Sequence, residues 1–80
     1  MNRGKKIKQM RKFINKYGVI RSECQRPPDK NFPPYRKGSY QAHFDSEQFG
    51  LSYSVGHINK YEVYKCIVAE IKDRIKENAT

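Results

Sequence analysis

The sequence predicts a small two-layer α+β domain: a three-stranded antiparallel sheet with two helices packed on one face, in the order α-β-β-β-α. Two observations carry this. Apolar residues recur with a helical period over 7–17 and 63–75, and with the two-residue period of half-buried strands over 40–44 and 51–55. A chain of 80 residues can bury one modest core, so residues 1–80 are expected to form a single compact domain.

The first helix is expected from Lys5 to Tyr17. Ile7, Met10, Phe13, Ile14 and Tyr17 fall within an arc of roughly 120°, and Lys8, Arg11, Lys12, Asn15 and Lys16 occupy the other side. Gly18 is placed to end the helix in a left-handed conformation, and Lys16 suits the negative end of the helix dipole. A first strand follows over Gly18–Cys24, with β-branched residues at its start and only loose alternation.

Residues 25–39 read as a long, basic, Pro-rich loop. Pro27-Pro28 and Pro33-Pro34 remove four amide donors and bias the preceding residues away from helix. Its Arg26, Lys30, Phe32, Tyr35, Arg36 and Lys37 mix cations with aromatic rings, a combination that can neutralise phosphates and stack bases, or can equally pin the loop to the domain.

The second and third strands are Tyr40–Asp45 and Leu51–Val55, joined by a short hairpin connection ending at Gly50. Tyr40, Ala42, Phe44, Leu51, Tyr53 and Val55 share the face to be buried. Gln41, His43, Ser52 and Ser54 are left on a flat outer face, where His43 is expected as an exposed spectator. Asn59 can cap the last helix, with Glu62 closing a capping box and Ile58 stapling to Val63. That helix runs to about Glu77 on an apolar stripe of Tyr64, Ile67, Val68, Ile71 and Ile75, and its outer face mixes charges, including Glu62–Lys65 and Asp73–Lys76. The expected core is Ile7, Met10, Ile14, Phe44, Leu51, Tyr53, Ile67 and Ile71.

The net charge of +9 is unevenly distributed. Residues 1–40 hold 12 Lys/Arg against 2 Asp/Glu, whereas residues 41–80 hold 5 against 6. Such a directional field attracts and orients a polyanion. The expected partner is therefore nucleic acid, DNA or RNA, held by its phosphates through Lys5, Lys8, Arg11, Lys12 and Lys16 of the first helix and by Arg26, Lys30, Phe32, Tyr35, Arg36 and Lys37 of the loop. The alternative is a protein-interaction module, an adaptor or inhibitor, docking on an acidic surface of a partner such as a nucleic-acid-processing enzyme.

The element order resembles that of the double-stranded-RNA-binding domain, which reaches RNA through its first helix, the loop between its first two strands and a lysine-rich start of its second helix. The first helix is basic here from Lys5 to Lys16, and the loop includes Arg36 and Lys37. Asn59-Lys60-Tyr61-Glu62 offers one lysine in place of a cluster, and the second helix lacks the alanine-rich packing pattern. The resemblance is one of order over most of the chain, and no family membership is drawn from it.

No catalytic role is expected. His43, His57, Asp45, Glu47 and Glu23 are not spaced to converge, and His43 and Asp45 would stand about 7 Å apart along one strand face. Neither a metal nor another cofactor is expected, because two histidines and two cysteines stand in no ligand spacing. Cys24 and Cys66 are expected as reduced thiols of a cytoplasmic protein. No apolar stretch is long enough to span a membrane or to act as a secretory signal.

Overall fold

The computed structural model describes residues 3–31 and 38–78. The elements are α1 (Arg3–Asn15), β1 (Val19–Arg26), β2 (Ser39–Ser46), β3 (Leu51–His57) and α2 (Lys60–Asn78). The strands form one antiparallel sheet in the order β1-β2-β3, so both connections join neighbours. The predicted α+β architecture is the one observed. Both helices lie on one face of the sheet, where α1 packs chiefly on α2 and α2 packs on β2 and β3. No described helix is long and apolar enough to cross a membrane.

Ile14 of α1, Phe44 of β2, and Val63, Tyr64, Ile67 and Ile71 of α2 are completely buried, with Ala42 and Leu51 nearly so. Ile7, Met10 and Tyr53 reach this cluster but keep part of their surface open. Alternation on β2 and β3 and the 3.6-residue stripe of α2 therefore meet as expected. Each fully buried aliphatic side chain contributes on the order of 1.5–3 kcal/mol.

The end of α1 differs from expectation in an informative way. The helix stops at Asn15, and the Tyr17 and Gly18 N–H groups both return to the Ile14 carbonyl, at 3.0 and 3.1 Å. Gly18 is not left-handed; positive φ among the glycines occurs at Gly38 and Gly50. What Gly18 provides is room. A Cβ there would lie 2.2 Å from the Asp45 carbonyl oxygen and 2.7 Å from the Phe44 ring, so only glycine lets the chain cross the end of β2. Beside it, the buried Ser46 hydroxyl donates to the Tyr17 carbonyl at 2.6 Å and accepts the Phe49 N–H at 3.3 Å. Tyr17 stacks on Phe49 with ring centroids 5.6 Å apart. The β2–β3 turn and the end of α1 are thus one packed unit.

β1 runs two residues further than predicted, and its weak alternation has a structural cause. Ile20 pairs with Phe44 and Arg21 with His43, but the next pair is Cys24 with Gln41, leaving Ser22 and Glu23 together opposite Ala42. Ser22 has φ 55°, and this bulge reverses the face parity of every residue after it. The 25–39 loop is correspondingly shorter, since Gln25, Arg26 and Ser39 belong to strands.

At the start of α2, Asn59 Oδ1 accepts the Glu62 N–H at 2.9 Å, as expected of a cap. The staple is not realised, because Ile58 remains 59% exposed while Val63 is buried. On the outer face, Arg74 bonds Glu70 at 3.4 Å, and Lys65 stands over the Tyr61 ring instead of beside Glu62.

Ile71→Ala should lower the unfolding free energy by about 2–5 kcal/mol in urea titrations. Gly18→Ala, a change of one methyl group, should cost about 1–3 kcal/mol, because its Cβ is driven into the Asp45 backbone.

Candidate nucleic-acid interface

An α-helix whose apolar arc is committed to a core must present its other arc outward. In α1 the inward arc is Ile7, Met10, Phe13 and Ile14, and the first turn contains no acid. Lys5, Lys8 and Lys12 are exposed and line one shallow hollow together with Gln9. Their spacing of three and four residues puts them on one face. At about 1.5 Å per residue the row is roughly 10 Å long. Lys16 follows just beyond the helix, exposed, in the turn whose N–H bonds the Phe13 carbonyl at 3.2 Å.

Arg11 does not belong to this free row. Its Nη2 lies 4.0 Å from Glu23 Oε1, and that contact is part of a half-buried cluster. Glu23 Oε2 accepts the hydroxyls of Tyr40 and, at 3.1 Å, of Tyr64, with Lys60 Nζ at 3.9 Å. Lys60 also stands over both rings, 5.9 Å from that of Tyr40 and 5.6 Å from that of Tyr64. Burial opposes ionisation of Glu23, but the two hydroxyl bonds and the cations of Lys60 and Arg11 outweigh it and hold its carboxyl below the ordinary 4.5. Burial and the same carboxylate push the Tyr64 phenol up to about 12 and raise that of Tyr40 as well. No sequence spacing announces this cluster, since its two tyrosines lie 17 and 41 residues from Glu23 along the chain.

The loop residues form a second, separate group. Arg26 ends β1 and lines a hollow with Pro27, Pro28 and Asp29, and Lys30 is exposed beyond it. The Asn31 N–H bonds Asp29 Oδ1 at 3.0 Å. Gly38, at φ 83°, closes the far end, where a Cβ would meet the Arg26 carbonyl at 2.9 Å. Phe32, Tyr35, Arg36 and Lys37 lie outside the described residues. The structure therefore brings Lys5, Lys8 and Lys12 together and keeps Arg26 in a different hollow.

His43 is not a spectator. Its Nδ1 lies 2.6 Å from Ser54 Oγ, and its Nε2 lies 2.8 Å from Asp45 Oδ1 and 3.0 Å from Ser52 Oγ. The separation expected between His43 and Asp45 is closed by their side chains leaning together. The ionised carboxylate can only accept, so the proton of the His43–Asp45 bond sits on Nε2, while the Nδ1–Ser54 bond can run in either direction. The His43 bond lowers the Asp45 pKa further than burial raises it, with Ser52 and Arg21 assisting; Arg21 Nε is 3.7 Å away. The order serine, histidine, aspartate is that of a nucleophile with its base and orienting acid. Ser52 and Ser54, however, stand exposed on the open face of the sheet, where water reaches every group. The arrangement links β2 to β3 through His43 and Ser54.

Cys24 and Cys66 are free thiols, and among the described residues no group of three or more His, Cys, Asp or Glu is placed to hold a metal. Comparison with models of known protein families, with curated proteins and with solved structures finds no match to this chain.

Glu23→Gln should flatten the acid limb of the stability curve. A carboxyl whose folded pKa lies below its unfolded one stabilises above the unfolded value, and that contribution is lost as pH falls through the folded value. Between roughly pH 5 and pH 3 the wild-type urea midpoint should fall more steeply than that of E23Q. Tyr64→Phe, which removes one bond to the charged group, should cost about 1.5–3 kcal/mol at neutral pH.

Proposed function

We propose that this protein is a small nucleic-acid-binding module that grips the phosphate backbone with the outer face of α1. The observation that carries the reading is the row of Lys5, Lys8 and Lys12, exposed and set on a helix with no acid in its first turn. Lys16 extends the row, and Arg26 and Lys30 supply additional positive potential from the base of the loop. Lysine ammonium groups are point charges on flexible stems, suited to phosphates and poor at reading base edges, so binding is expected to depend little on sequence. A membrane surface fits less well, because the apolar arc that would enter the lipid is occupied by the core. The protein acts as a binder, with no chemistry of its own, in a reducing compartment of cytoplasmic type that suits its free thiols.

The test is an anisotropy titration with duplex and single-stranded DNA and RNA at several salt concentrations. Each lysine–phosphate contact on duplex DNA adds about 0.9 to the logarithmic salt slope. Replacing Lys5, Lys8 and Lys12 together by Gln should therefore weaken binding and lower the slope by roughly 2–3. The same change at Lys65, Lys72 and Lys76 of α2, where acids are interspersed, should do little. Equal losses from both triples would mean attraction by the whole basic body. Absence of binding at low salt, with an acidic protein co-purifying until the α1 triple releases it, would establish the adaptor or inhibitor reading instead.

A further inference from the structure

The sheet has two edges, and the sequence treats them differently. β1 is guarded in the ways that natural edge strands are: a bulge at Ser22–Glu23, charged residues at Arg21, Glu23 and Arg26, and a Pro27-Pro28 pair at its end. β3 has none of these. It pairs with β2 in unbroken register from Leu51 to His57, and the segment Leu51-Ser52-Tyr53-Ser54-Val55-Gly56-His57 contains no proline, lysine, arginine or carboxylate. Alternate residues of such a strand direct their N–H and C=O groups away from the sheet, a ready template for one more antiparallel strand.

We propose that β3 pairs with β3 of a second copy of this chain, joining two sheets into one of six strands about a two-fold axis that passes by Ser54. Charge argues for this occupant. The excess of cations belongs to residues 1–40, whereas residues 41–80, which include β3 and α2, hold 5 Lys/Arg against 6 Asp/Glu. Two molecules of net charge +9 can therefore meet at this edge without bringing their basic halves together. The register argues for it too. Centred on Ser54, antiparallel pairing sets Tyr53 opposite the partner's Val55, and Val55 opposite the partner's Tyr53. These are aromatic and β-branched side chains that are only partly buried in one copy. On the open face it sets Ser52 opposite the partner's Gly56, so small residues meet small ones. No like charges are opposed anywhere along the strand. The contact is isologous and closes on itself, giving a dimer and not a filament.

The experiment is sedimentation equilibrium of the full chain across the micromolar range, at a salt concentration that suppresses binding to polyanions. Wild type should pass from monomer to dimer. Ser54→Lys and Ser54→Glu each place like charges against each other at the axis and should sediment as monomers; an equimolar mixture of the two should recover the dimer. That recovery also shows that both variants fold. Amide exchange of the wild type supplies a readout free of substitutions, with protection of β3 rising with protein concentration while that of β1 stays constant. A wild type that remains monomeric throughout overturns the proposal. So does a dimer that both variants leave intact, or one whose added protection falls outside β3.

Discussion

Glu23 is where the layers of this small protein are tied together. Its carboxylate sits on β1, takes the hydroxyls of Tyr40 from β2 and Tyr64 from α2, and faces Arg11 of α1 and Lys60 at the start of α2. A carboxylate turned toward a core is costly unless its lone pairs are filled and its charge is answered, and here both conditions are met. The bulge makes this possible. Regular alternation after Ile20 and Arg21 would have turned Glu23 to the open face; Ser22, at φ 55°, absorbs the extra residue and turns it toward the helices. A local departure from strand geometry thus brings one carboxylate of the sheet into contact with both helices.

The opposite end of α1 is held by different means. Gly18 lets the chain cross β2 against the Asp45 carbonyl, Ser46 bonds the Tyr17 carbonyl, and Tyr17 stacks on Phe49. α1 is thus contacted at its middle through Arg11 and at its end through this junction. Arg11, which the helical wheel groups with Lys8 and Lys12, faces Glu23 of β1.

The two sides of the sheet are put to different uses. The helix side is mainly apolar, its polar contacts being the Glu23 cluster and Ser46 at the end of β2. The open side is a polar ladder in which His43 links Asp45 and Ser52 to Ser54. Such a ladder stiffens the β2–β3 pair without large side chains, leaving β3 flat and uncharged at its free edge. The cationic excess lies on other elements, so attraction of a polyanion and association of two copies can use separate surfaces.

The element order, the buried faces of β2, β3 and α2, the Asn59 cap and the lysine row of α1 are all legible in the chain's residues. Each is written in local periodicity, or in residues three or four positions apart, and local geometry converts such spacing into a shared face. Tertiary structure alone decided the bulge, the reason for Gly18, the Glu23 cluster and the His43 ladder. Those depend on which residue of one strand stands opposite which residue of the next, and Tyr64 meets Glu23 across 41 positions of chain. No periodicity records that register. It is chosen when the core closes, because a slip of one residue would turn Ala42 and Phe44 away from the cluster of Ile14, Ile67 and Ile71 toward the open face.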